Sequence, residues 1–171
     1  LRYPGGKSRA IQQMKLLLPK DFEEYREPFV GGGSFFIYLK QAYPKLKIWI
    51  NDLNPELYYF WKYAQIDSEK LAREVLKVKT ERADGQELFN ELVNVKIETL
   101  TEFERAVRFF VLNRITFSGV VESGGYSQLA FHVPSTPRQH GNSRILLMSN
   151  QILDHPVFLC LEFWLKIQSN K

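Results

Sequence analysis

The sequence predicts an α/β fold in which a parallel pair of strands carries a ligand turn and a block of helices is inserted into the sheet. Three observations lead there. A run rich in aromatic and β-branched residues at 25–30 ends in Gly31-Gly32-Gly33. A second such run at 47–50 ends in Asn51-Asp52. From residue 55 to about 114, apolar residues recur three and four apart, the spacing of helices rather than strands.

In chain order, residues 8–18 place Ala10, Ile11, Met14, Leu17 and Leu18 on one helical face, with Ser8 as the N-cap and Pro19 closing the segment. Residues 25–30 form the first strand, Phe35, Phe36, Tyr38 and Leu39 the apolar face of the next helix, and residues 47–50 the second strand. Strand, turn, helix and strand in that order make a parallel pair with a right-handed crossover. Helices follow over 57–63, 68–79 and 87–95. Thr101 and Glu104 then form a capping-box signature ahead of Phe103, Ala106, Val107, Phe110 and Val111, which predicts a helix to about Arg114. Residues 118–142, with Gly119, Gly124, Gly125, Pro134, Pro137 and Gly141, read as an irregular loop, and a loop of that length in a compact domain is usually functional or disordered. Residues 143–153 read as a helix and 156–163 as a buried strand, so the sheet resumes after the insertion.

Composition narrows the classes. The 171 residues suit one domain or one domain with a large insertion, and 44% apolar with 25% charged residues is ordinary for a folded globular chain. No run approaches the roughly 20 apolar residues of a membrane span, and the first residues lack the apolar core of a signal peptide, so the reading is cytoplasmic with no membrane partner. A lone Cys160 rules out an internal disulfide framework, and His132, His140 and His155 have no metal-ligand spacing, so no metal is expected. The net charge of +4 favours a polyanionic partner only weakly. Its distribution points to Arg105, Arg108, Arg114, Arg138 and Arg144, around the long loop, as the place for phosphate contacts.

Two turns carry candidate chemistry. A glycine cluster at a strand end lets backbone approach a ligand closely, and an acidic residue about 20 positions later, at the end of the next strand, can accept hydrogen bonds from both hydroxyls of a ribose. Gly31, Gly33 and Asp52 meet that description; the plain alternatives are an ordinary turn and, for Asp52, a helix N-cap near Pro55. Tyr3-Pro4-Gly5-Gly6-Lys7 precedes a helix, so its amides and Lys7 could receive an anion, or Lys7 could be a solvated lysine. It lacks the glycine spacing of a phosphate-binding P-loop. Tyr3 stacks on a base or simply packs.

Taken together, Arg2-Tyr3-Pro4-Gly5-Gly6-Lys7, Glu27-Pro28-Phe29-Val30-Gly31-Gly32-Gly33-Ser34, Asn51-Asp52-Leu53-Asn54 and Asn113-Arg114-Ile115-Thr116-Phe117-Ser118-Gly119 resemble the successive motifs of the Dam-type DNA adenine-N6 methyltransferases. The resemblance covers residues 1–119 and extends more loosely to about 163. It implies a Rossmann-like fold dependent on S-adenosylmethionine, with a helical target-recognition insertion, acting on double-stranded DNA. On that basis residues 1–56 and 143–171 form the methyltransferase core and 57–142 the insertion. Tyr3 takes the place of an aromatic beside S-adenosylmethionine, Lys7 that of a lysine near its amino-acid end, Asp52 that of the ribose reader, and Gly31 and Gly33 those of the close-approach glycines. Arg2, Asn113, Arg114 and Arg138 fall at or near positions that face DNA. A monomer on DNA and a cognate restriction endonuclease are further implications of the resemblance.

The chain departs from that family in two places. No Asp-Pro-Pro-Tyr tetrapeptide occurs; Asn54-Pro55 and Asp154-His155-Pro156 lack the second proline and the aromatic, so no catalytic residue is assigned. In the family that motif follows a segment like 157–163, so the chain is expected to stop before its catalytic element and to be weakly active or inactive. Phe131-His132-Val133-Pro134 has histidine where the family has asparagine. The competing readings are a non-catalytic module that binds DNA or cofactor and, on the glycine turn alone, a nicotinamide-binding protein.

Overall fold

The computed structural model describes residues 1–121 and 124–127, apart from the side chains at 79 and 118. Strand β1 (Glu24–Glu27) and strand β2 (Lys47–Ile50) pair in parallel, with Glu24 opposite Lys47 and Glu27 opposite Ile50. The pairing continues past both strands: the Asn51 N–H donates to the Glu27 carbonyl and the Val30 N–H to the Asn51 carbonyl, each at 2.9 Å. The first strand is shorter than the expected 25–30 because Pro28 has no N–H for a ladder, and the chain bends there toward the glycines. Helix α2 (Ser34–Ala42) joins the two strands and buries Phe35 and Leu39 with Leu46 in a small core.

The N-terminal helix departs from the 3.6-residue reading of 8–18. Only Ile11–Met14 (α1) is α-helical, between 3₁₀ turns at Lys7–Ala10 and Lys15–Leu17. Ser8 is not the N-cap: Gly6 holds that position, without a side-chain bond. A 3₁₀ turn advances faster around its axis than an α-helix, so one apolar stripe cannot persist through all three pieces. Ile11, Met14 and Leu18 pack against the small core, whereas Leu17, expected on the same face, is 83% exposed.

Residues 55–115 are mostly helical, as the spacing predicts. Helix α3 (Pro55–Ile66) starts two residues earlier than expected because Asn54 caps it, its Oδ1 accepting from the Glu56 N–H at 3.0 Å, with Pro55 at the first position. Asp67 caps α4 (Ser68–Thr80) and Asp84 caps α5 (Gly85–Asn94). Helix α6 (Glu102–Ile115) begins with the complete capping box between Thr101 and Glu104. It packs against α3, α4 and α5, and Ala106, Phe109, Phe110, Leu112 and Ile115 join Leu57, Phe60, Leu71 and Leu88 in the main core. Phe60 and Phe110 stack with ring centroids 5.3 Å apart.

Two of the arginines marked for phosphate are spent on this packing. Arg105 donates through Nε to buried Glu56 at 2.8 Å and lies over the Tyr59 ring, and buried Arg108 donates to the Leu92 carbonyl at 2.7 Å. Both tie α6 to its neighbours, a demand that helical spacing alone did not reveal. After α6 a 3₁₀ turn (Phe117–Gly119) leads to an antiparallel bridge between Thr116 and Tyr126. The rest of the expected 118–142 loop, the helix at 143–153, the strand at 156–163, Arg138 and Arg144 lie outside the described residues.

Candidate functional site

The glycine turn stands at the carboxyl end of β1, where a parallel sheet leaves space for ligands. The Gly33 N–H donates to the Val30 carbonyl at 2.9 Å, closing the turn, and Gly31 and Gly33 have φ of +49° and +73°. Those values lie in the left-handed region, which side chains with a Cβ resist. Space excludes a side chain as well. A Cβ on Gly33 would stand 2.5 Å from the Phe36 ring and 2.6 Å from Trp61, and one on Gly31 would stand 3.0 Å from the Tyr3 ring. Tyr3 therefore packs across the turn, the plainer of its two expected roles.

Asp52 belongs to the turn, not to a helix cap. Its Oδ2 accepts from the Gly31 N–H at 2.9 Å and its Oδ1 from the Asn54 N–H at 3.1 Å, while the cap of α3 is Asn54. A carboxylate oxygen has two lone pairs, so each can still accept a second donor. Beside Asp52 opens a cleft of roughly 450 Å³, solvent-open space included, lined by Val30, Ile50, Asn51, Tyr58, Trp61, Lys62 and Gln65. Apolar walls from the strands, an aromatic pair from α3 and one carboxylate with spare lone pairs suit a flat heteroaromatic ring joined to a diol.

Lys7 is not free, although its side chain stays 36% exposed. Its Nζ donates to the Phe29 carbonyl at 2.9 Å and stands 3.0 Å from Oε1 of Glu27, whose side chain is 4% exposed. Neither Glu27 oxygen has a hydrogen bond of good geometry, so the contact is charge against charge. Burial, and then the Glu27 carboxylate, push the Tyr25 hydroxyl above the ordinary tyrosine range. In the sequence Glu27 is only the first letter of the glycine motif; an acid as the last residue of a strand, with a lysine in the preceding turn, is the signal for this pair. Trp61, absent from every motif, also reaches the turn by donating from Nε1 to the Gly31 carbonyl at 3.2 Å.

A second group lies at the end of α6. Asn113 is fully buried, with Nδ2 donating to the Arg2 carbonyl at 2.7 Å and to the Gly119 carbonyl at 3.0 Å. It was expected beside DNA; in this structure it is an internal bracket, because an amide is the side chain that can serve two backbone acceptors at once. Arg114 is partly buried with Nη1 unpartnered, and burial together with the charge of Arg2 lowers its pKa to about 10. Residues 1–3 thread between the two groups: a Cβ on Gly119 would meet the Arg2 carbonyl at 2.6 Å, and one on Gly32 the Leu1 carbonyl at 3.2 Å. Among the described residues no helix is long and apolar enough to cross a membrane, and no cluster of His, Cys, Asp or Glu could hold a metal ion.

Parallel strands thus carry a glycine turn gripped by an acid from the next strand, and Arg114 at the end of a buried helix stands beside the charge of Arg2. Comparison with known proteins gives the family. The model of the D12 class N6 adenine-specific DNA methyltransferases matches residues 3–163, and the chain belongs to that family. It is 29% identical over 133 residues to the Type II methyltransferase M.MjaIII of Methanocaldococcus jannaschii, covering 70% of this chain and 46% of that protein. It is 28% identical over 137 residues to the Type II methyltransferase M1.LlaDCHI of Lactococcus lactis subsp. cremoris, covering 78% and 45%. The chain thus spans less than half the length of the curated relatives it matches.

Proposed function

We propose that this chain carries the S-adenosylmethionine site and part of the DNA-facing surface of an adenine-N6 DNA methyltransferase with a Rossmann-like core. The observation that carries the reading is the bond from the Gly31 N–H to Asp52 Oδ2, which places the carboxylate at the mouth of the cleft, together with membership of the family. The cofactor would supply the methyl group. In this reading Asp52 accepts from the ribose hydroxyls with its spare lone pairs, Val30 and Ile50 face the adenine, and Tyr3 and Lys7 hold the turn from outside. Lys7 already neutralises buried Glu27, so its contribution to the amino-acid end is made through the Phe29 carbonyl and the shape of the turn.

On the DNA side, Arg2 and Arg114 are the cations proposed to meet phosphate. Arg114 keeps a buried, unpartnered Nη1 beside a second positive charge, a costly state in the free protein that an anion would relieve. Asn113 and Gly119 position these arginines from below. Arg138 is proposed as a further DNA contact on the family resemblance alone. The division into a core at 1–56 and 143–171 and an insertion at 57–142, a monomeric state on DNA and a restriction partner are proposed on the same resemblance. Methyl transfer is proposed for the family fold as a whole, and no catalytic residue is assigned in this chain.

Calorimetric titration with S-adenosylmethionine, comparing wild type with Asp52→Asn, tests the site. Asparagine keeps an acceptor for the Gly31 N–H but loses the second carboxylate oxygen and the charge, so affinity is expected to fall at least about tenfold with thermal stability preserved. Equal affinity in the two proteins would remove Asp52 from the site, and no binding by wild type would remove the cofactor assignment from this chain.

A further inference from the structure

Trp61 lies mid-way along α3, 30 positions from the glycine it touches. Its indole N–H donates to the Gly31 carbonyl at 3.2 Å, and the Gly31 N–H donates to Asp52 Oδ2 at 2.9 Å. Both backbone polar groups of Gly31 are therefore held by side chains, one from the end of β2 and one from α3. A glycine at positive φ has two loosely restrained peptide planes, and a grip on each side removes that freedom. The indole is itself fixed. It meets Phe36 and Phe60 edge to face, each with centroids 5.0 Å apart, and two of its ring carbons lie 2.6 and 2.8 Å from where a Cβ on Gly33 would stand. The same ring thus meets both positive-φ glycines of this turn, Gly31 and Gly33, while lining the cleft with Asp52.

We propose that Trp61 is a positioning residue: its N–H holds the Gly31–Gly32 peptide in the orientation the cofactor turn requires and, across the Gly31 Cα, steadies the Val30–Gly31 peptide whose N–H aims the Asp52 carboxylate into the cleft. The proposal rests on the reading of this turn as an S-adenosylmethionine site. Apolar packing could be met by a phenylalanine, which has no donor for the Gly31 carbonyl. If the Gly31–Gly32 peptide is released, the φ and ψ of Gly31 are held from one side only, the Gly31 N–H drifts from Asp52 Oδ2 and the carboxylate is free to turn away. The cleft then keeps its walls and loses its fixed acceptor.

Trp61→Phe keeps a ring against Phe36 and Phe60 and removes the donor. Phe110→Leu is the control, because it trims the ring stacked on the other side of Phe60 and does not reach the turn. Both variants and wild type are compared as full chains by thermal melting, by amide hydrogen exchange at Gly31, and by S-adenosylmethionine affinity. In Trp61→Phe, exchange at Gly31 is expected to be about fivefold faster and cofactor affinity about fivefold weaker, the loss of one hydrogen bond. In Phe110→Leu both are expected to stay at the wild-type values even where melting falls further. Unchanged Gly31 exchange in Trp61→Phe overturns the proposal. So does faster exchange with undiminished affinity, or an equal loss in Phe110→Leu. If wild type binds no cofactor, the reading of the site fails and takes the aiming of Asp52 with it, while the exchange rate separately decides whether Trp61 holds the turn.

Discussion

The helical block from α3 to α6 and the strand region before it are stabilised by different means. Around α6, large apolar side chains are sealed from water: Leu57, Phe60, Phe109 and Leu112 are each at most 1% exposed. Before residue 55 the small core holds only Phe35, Leu39 and Leu46 as fully buried members, and Leu16, Leu17, Phe29, Trp49 and Leu53 all lie open. Val30 and Phe36 reach into the main core, and the glycine turn between them is shaped by single polar ties, Lys7 to the Phe29 carbonyl, Asp52 to Gly31 and Trp61 to Gly31. The helical block rests on many apolar contacts at once; the turn rests on few. Ligand-binding turns commonly sit at the weakly packed end of a fold, and the block at α6 is the platform that permits it.

That contrast can be broken from either side. Phe60→Ala removes a ring stacked on Phe110 and braced by Trp61, and is expected to cost about 4 kcal/mol in chemical denaturation, with the site lost along with the helical block. Gly33→Ala meets a forbidden φ and the rings of Phe36 and Trp61 together, so about 3 kcal/mol is expected, with helical circular dichroism at low temperature largely kept. Equal loss of helix in the two variants would mean that the regions unfold as one.

Arg114→Met goes the other way. Folding lowers the pKa of this guanidinium from its ordinary range to about 10, so the native state binds its proton less tightly than the unfolded chain. The burden is complete below about pH 10 and is relieved as pH rises from there toward the ordinary arginine range. The variant should be about 2 kcal/mol more stable than wild type at pH 7–9, with the gap narrowing above pH 10. Its binding to duplex DNA should lose about one unit of salt slope. A less stable variant at pH 7 would mean that the stem of Arg114 contributes more by packing than its charge costs. The smallest effect is expected from Thr101→Ala, which opens the capping box at the exposed start of α6 and should cost about 1 kcal/mol in denaturant melts without altering cofactor affinity.

What could be read from the chain divides along the same line. Caps are local, and Thr101 with Glu104 forms the expected capping box, whereas near Pro55 the cap falls on Asn54 and the candidate Asp52 instead accepts from the Gly31 N–H. Side chains that serve distant backbone were not legible. Asn113, Arg105 and Arg108 look like surface groups in a list of polar residues, yet each is committed to a partner in another element. Trp61 escaped notice for the same reason, since a bond across 30 positions leaves no period in the sequence. The N-terminal helix misled because its apolar residues fit one turn type and its backbone uses two.

The bond from Asn113 to the Arg2 carbonyl joins residues 111 positions apart, whereas the helices of the insertion close on near neighbours. Closing so long a loop carries an entropic cost that local contacts do not, so this bracket forms late in folding. During synthesis the segment that lays Tyr3 across the glycine turn is not anchored through Arg2 at Asn113 and Gly119 until α6 has emerged and docked. The proposed ligand site is therefore expected to assemble after the helical platform, and a nascent chain halted before residue 119 would lack that anchor.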